Sequence, residues 1–165
     1  MQFDVGESVV VPGWGVGEIA GLEEVDVGEA DVKMVRIDIG EEKKRMWVPE
    51  GRMHAECVRG VMKPSQVKET LSLIKNGTAP EKRATWNRRQ RRYMEMVSTN
   101  TPQSLGELMG ELSAVRRRKR LSFTERRMFD RVHDQLSAEM ACALDCPVDE
   151  AAAKLDKAIG PRAEK

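Results

Sequence analysis

Between positions 34 and 39 the side chains alternate, with Met34, Arg36 and Asp38 set against Val35, Ile37 and Ile39. That is the period of a strand with one buried face. Related β-rich runs occupy residues 7–11, 16–23, 32–39 and 44–48, with Gly13, Gly15, Gly17, Gly28 and Gly40 between them. Four or five short strands in so small a segment predict a small SH3-like or Tudor-like β-barrel over residues 1–60.

Beyond Pro64 the apolar period becomes helical. Val67, Leu71 and Ile74 form one stripe, and Leu105, Leu108, Met109 and Leu112 a second. Phe129, Val132, Leu136 and Met140 form a third, and Val148, Ala152, Leu155 and Ile159 a fourth. Each stripe buries one face against its neighbours. Asn76-Gly77 ends the first segment. Thr101-Pro102 and Cys146-Pro147 place Pro at helix starts. Ser122 and Glu125 have the spacing of a capping box. With a helix that begins near Thr85, residues 61–160 predict a compact bundle of about five helices, and 161–165 a frayed tail. The fold class is α+β, a barrel followed by a bundle.

Charge adds a division that the net value of +1 conceals. Residues 1–60 hold 13 acids and 7 bases, residues 61–131 hold 17 bases and 7 acids, and residues 132–165 hold 7 acids and 4 bases. Such segregation points to two surfaces with different partners, against the plainer reading of charges scattered over solvated faces. The start of the chain lacks the pattern of a signal peptide, and no apolar run approaches the length of a bilayer span. Three cysteines do not make a disulfide framework. These features predict a cytoplasmic protein, a monomer with no membrane partner.

Catalytic and cofactor signals are weak. Gly13, Gly15 and Gly17 are followed by Glu18, so the dinucleotide fingerprint fails and a tight strand connection is the better reading. Trp14 at that connection has little to pack on locally and is open to a partner. Cys142 and Cys146 share a helix face, but His133 is too distant to complete a zinc site, so they read as small buried residues. The chain holds no nucleophile–His–acid set at supporting spacing. The expectation is no enzyme, no cofactor and no metal.

The sequence from Thr85 to Met94, TWNRRQRRYM, carries the sharpest signal. Thr85 fits an N-cap with Trp86 in the first turn. Trp86 shares a face with Gln90, Tyr93 and Val97, which supports a core role. Arg88, Arg91 and Arg92 lie on the opposite side, with Arg89 between. A first-turn indole can also project past the helix end, where bare N–H groups favour phosphate. A second basic run, Arg116-Arg117-Arg118-Lys119-Arg120, falls in the connection before Ser122, with Arg126 and Arg127 just after. Cations that neutralise phosphates grip DNA without reading sequence, and an apolar side chain wedges at a base step from the minor groove. The candidate DNA-binding residues are therefore Trp86, Arg88, Arg89, Arg91, Arg92, Arg117, Lys119, Arg120 and Arg126. The acidic first 60 residues suit a protein partner, which an exposed edge strand could engage.

Three segments resemble the CarD family of bacterial transcription regulators, in particular its CdnL-type members. They are Phe3-x-Val5-Gly6-Glu7-x-Val9-Val10-x-Pro12-x-x-Gly15-x-Gly17, then Thr85-Trp86-Asn87-Arg88-Arg89 with Tyr93 and Glu95, and then Leu121-Ser122-x-x-Glu125-Arg126-Arg127-Met128. The resemblance implies an N-terminal Tudor-like domain, shared with transcription-repair coupling factors, that docks on the RNA polymerase β subunit. It implies a helical domain at the upstream edge of the promoter bubble. There Trp86 would wedge in the minor groove and stabilise the open complex, with Arg88 and Arg89 beside it. Polymerase docking would fall to Arg45, Met46 and Trp47, with Trp14 as a further candidate. The sequence departs from the family pattern at Val11, where Tyr is common, and at Val25 and Trp47, where bases are common. The alternative is a CarD-like adaptor whose first domain binds another regulatory protein, with or without DNA contact. An RNA- or ribosome-associated module is the third reading.

Overall fold

The computed structural model describes residues 3–80 and 85–163. The chain divides into two compact units, Met1–Val61 and Met62–Lys165.

The first unit is a five-stranded antiparallel sheet of β1 (Ser8–Val11), β2 (Gly15–Val27), β3 (Ala30–Ile39), β4 (Lys44–Pro49) and β5 (Arg59–Gly60). Its strand order is β4-β3-β2-β1-β5. Among the described residues no pairing joins β4 to β5, so the small SH3-like or Tudor-like barrel expected from sequence takes the form of an open five-stranded antiparallel sheet. The physical reason is visible in β5, which is only two residues long and pairs only with Val9 and Val10 of β1. The alternation read at 34–39 is realised, since Val35, Ile37 and Ile39 are buried. They pack with Phe3, Val9, Val11, Ile19, Val48, Met53 and Val58 as one apolar core. The register of β2 against β3 shifts between Ile19 and Gly21. This bulge lets Leu22 and Glu23 continue a long β2–β3 hairpin past the core.

The second unit contains five helices among the described residues. They are α1 (Pro64–Lys75), α2 (Trp86–Thr99), α3 (Pro102–Arg118), α4 (Phe123–Leu144) and α5 (Val148–Ile159). Their ends follow the local chemistry. Thr101 accepts from the Ser104 N–H and Ser122 from the Glu125 N–H, and both form reciprocal capping boxes. Asn100 and Asp145 close α2 and α4 in the left-handed conformation, with φ of 58° and 51°.

The second and third apolar stripes are buried throughout and form the centre of the core. The fourth is shifted. Ala151, Leu155 and Ile159 are buried, whereas Val148 is exposed, because Pro147 is the cap and Val148 opens the helix at its outer rim. Cys142 is likewise exposed rather than buried, and Cys146 is half-buried.

Helices α1 and α3 approach closely through glycine. A Cβ on Gly110 would lie 2.8 Å from the Leu73 carbonyl oxygen, and one on Gly106 would lie 3.1 Å from Thr70 Cγ2. The tail expected to fray is held as far as Ala163, whose N–H donates to the Arg116 carbonyl at 2.8 Å. Its last two residues lie outside the described ones.

Candidate nucleic-acid interface

Helix α2 starts where the sequence predicts. Thr85 Oγ1 accepts the Arg88 N–H at 3.3 Å. Trp86 occupies the first turn and is half-buried against the helical core. Behind it, Tyr93 is fully buried, and burial pushes its hydroxyl up to about 12, so it stays protonated. The indole therefore has both a packed edge and an exposed one, which accommodates the two roles open to it from sequence.

Arg89 fixes this arrangement. Its guanidinium carbon lies 5.3 Å from the Trp86 ring centroid, a cation–π contact. Its Nη1 lies 3.7 Å from Glu125 Oε2. The two side chains are 16% and 3% exposed. Glu125 also accepts the Ser122 N–H through Oε1 at 3.0 Å, closing the capping box of α4. One carboxylate thus both starts α4 and draws the first turn of α2 against it. The start of α2, with its arginines, is thereby brought against the start of α4 across the intervening α3.

The predicted cations then sort into two groups. Arg88, Arg91, Lys119, Arg120 and Arg126 are exposed. Among the described residues, no carboxylate lies within 4.0 Å of any of them. Arg89, Arg92 and Arg117 are instead engaged inside the unit. Arg92 pairs with Glu111 and packs on the Tyr93 ring, and the Glu111 hydrogen bond raises its pKa further. Arg117 donates to the carbonyls of Ile159 at 2.9 Å and Gly77 at 3.4 Å. It binds the end of α5 to the turn after α1 because those carbonyls have no intrahelical partner. The basic run is also more helical than expected, since Arg116, Arg117 and Arg118 form the last turn of α3 and only Lys119 and Arg120 lie in the connection. Cations there suit the negative end of the helix dipole.

Sequence reasoning missed Phe123 as a surface residue. It opens α4, is 72% exposed and lies under the Arg127 guanidinium at 5.7 Å. Its place directly after the Ser122 cap was the signal, because a first-turn side chain has no preceding turn to pack on.

In the first unit, Trp14 is 55% exposed at the β1–β2 turn. Arg45 and Trp47 lie on the outer face of β4, an edge strand. Met46, on the other face, is half-buried and packs against the sheet core. Trp47 is 44% exposed, and its Nε1 donates to Glu23 Oε2 at 3.0 Å. Arg36 Nη1 meets the other oxygen of Glu23 at 2.8 Å. The Trp47 hydrogen bond, with the charge of Arg36, holds the Glu23 carboxyl below its ordinary value. Leu22, Val25 and Val27 are exposed along the same hairpin.

Among the described residues, no group of three His, Cys, Asp or Glu side chains could hold a metal ion, and no helix is long and apolar enough to cross a membrane. The chain is 21% identical over 139 residues to a Bacillus subtilis (strain 168) protein named "Putative transcription factor YdeB", an alignment that covers 84% of this chain and 90% of that one. The family model described as CarD, C-terminal domain, matches residues 66–156. That match takes in more than half of the sequence and runs from the first turn of α1 into α5, and by it the chain belongs to the CarD family.

Proposed function

We propose that this protein is a non-enzymatic transcription regulator that binds promoter DNA through its helical unit and the RNA polymerase β subunit through its sheet unit. Trp86 is the wedge. Arg88, Arg91, Lys119, Arg120 and Arg126 neutralise the flanking phosphates. The observation that carries this reading is the Arg89–Glu125 contact, which holds the half-exposed indole and the basic first turns of α2 against the start of α4. Membership of the CarD family and the name of the Bacillus subtilis relative support the same class of function.

The mechanism is differential binding. A factor shifts promoter opening only if it prefers the open form to the closed one. An indole wedged at an unstacked step supplies that preference, because duplex DNA must first meet an unstacking cost of about a few kcal/mol. Arginines on phosphate add affinity without choosing a sequence. The test is fluorescence anisotropy on two matched promoter fragments, one fully paired and one with a pre-melted bubble edge. The wild type should favour the second, and Trp86→Ala should abolish the preference. Equal binding of both fragments by the wild type sinks the wedge.

A second reading has its own support. Trp47 stands where a base is common in the family, and it is tied to an acid, Glu23, beside exposed Leu22, Val25 and Val27. That surface suits a different, less acidic protein partner. Retention of purified polymerase by the full chain, and its loss with Trp47→Ala, separates the two. No retention by the folded wild type favours the adaptor.

A further inference from the structure

A cavity of about 610 Å³ opens beside the end of α3, lined by Arg116, Lys119, Arg120, Arg126, Phe129 and Asp130, with Arg162 and Ala163 beyond. It gathers five cations from three places in the sequence against one carboxylate. Among the described residues, none of the five forms an ion pair, whereas Arg36, Arg89 and Arg92 elsewhere all do. The cavity has a built floor. Arg116 lies 4.7 Å over the buried Phe129 ring. It also has a built side, since the Ala163 N–H donates to the Arg116 carbonyl and so places Arg162 at the rim. Burial, together with the like charge of Arg162, lowers the Arg116 pKa. Asp156 and Asp130 offset part of that charge, but the five cations outnumber the carboxylates, and an anion would relieve the remaining repulsion.

We infer that this cavity is a binding site for a compact polyphosphate anion, free or as the phosphate tail of a nucleotide. Three features favour a small multivalent anion over a stretch of duplex backbone. The cations surround a concavity instead of lining a row. The C-terminal segment closes one side. The volume is that of a small-molecule pocket, about 300–1,000 Å³. Guanidinium groups supply the paired donors that phosphate oxygens accept, and Lys119 adds a point charge. The site stands independently of the DNA-binding reading, although it shares Lys119, Arg120 and Arg126 with it.

The test is calorimetric titration of the full chain with inorganic tripolyphosphate, with sulfate at matched ionic strength as the reference anion. The expected result is saturable one-to-one binding of tripolyphosphate, and none of sulfate. Loss of one charge-assisted contact should weaken it roughly tenfold in Arg162→Gln and in Arg116→Gln. Arg162→Gln lies outside every helix, so it tests the site even if Arg116→Gln disturbs folding. Arg88→Gln, which removes as much charge from α2, should leave the affinity unchanged. An equal loss in that variant would reduce the effect to general surface charge and overturn the proposal. Binding no tighter than sulfate would do the same. So would a result in which Arg162→Gln and Arg116→Gln weaken duplex DNA but not tripolyphosphate, which would make the cavity a backbone contact.

Discussion

Arg89 Nη1 lies 3.7 Å from Glu125 Oε2, and through that contact the start of α2 is held against the start of α4. The carboxylate is nearly inaccessible and serves a capping box at the same time. Glu125→Gln keeps an acceptor for the Ser122 N–H but removes the charge facing Arg89. The expected cost falls between the exposed and the buried cases, about 1–3 kcal/mol. Urea denaturation of Glu125→Gln, Arg89→Met and the double variant should give a non-additive cycle. Additive losses would show that the two residues act separately.

Trp86→Ala should separate binding from folding. The indole is only half-buried, so its removal should cost less than the 3–5 kcal/mol, roughly, of a full core deletion. Its effect on promoter DNA should exceed its effect on stability. A thermal melt and an anisotropy titration on one preparation decide this. A large loss of stability with unchanged DNA affinity would return Trp86 to the core.

The arginines should divide by salt dependence. Arg88→Gln and Arg126→Gln should each lower the slope of log affinity against log salt by about 1, as loss of one phosphate contact does. Arg117→Gln should leave that slope unchanged. Its guanidinium holds the carbonyls of Ile159 and Gly77, so it should instead lower stability by about 1–3 kcal/mol. A changed slope in Arg117→Gln would reverse this assignment.

Gly110→Ala should destabilise the helical unit although alanine is the better helix former. The new Cβ would stand 2.8 Å from the Leu73 carbonyl oxygen, and backbone has to move to admit it. Overpacking of this kind costs about 1–3 kcal/mol. A lowered melting midpoint is the readout, and an unchanged or raised one would mean that α1 and α3 separate freely.

On the sheet unit, the contact between Glu23 and Trp47 should be sensitive to acid. The Glu23 pKa is lowered in the fold from an ordinary 4.5. The stability it contributes is therefore present above the unfolded value and is lost as pH falls through the lower folded value. The Trp47 indole N–H resonance, followed by NMR, should shift over that acidic range. Glu23→Gln should remove the titration. A resonance that does not move would place the indole elsewhere in solution.

What could be read from sequence was whatever depends on neighbours along the chain. The alternation at 34–39, the capping box at Ser122 and the stripes of α3 and α4 are local patterns, and each recurs in the fold. The arginines were legible as a group but not one by one. Spacing placed Arg89 between faces. It could not know that Glu125, far along the chain, would meet it, or that Arg117 would find two open carbonyls. Sheet closure was equally out of reach, because it depends on how long β5 is and on what stands beside it.

The Arg117 contacts also bear on the order of folding. Its two acceptors lie 42 residues after it and 40 before it. A chain made from its N-terminus holds the Gly77 partner long before the Ile159 partner exists. The helical unit therefore cannot finish closing until α5 has left the ribosome, and until then Arg117 is the latch left open on the growing chain.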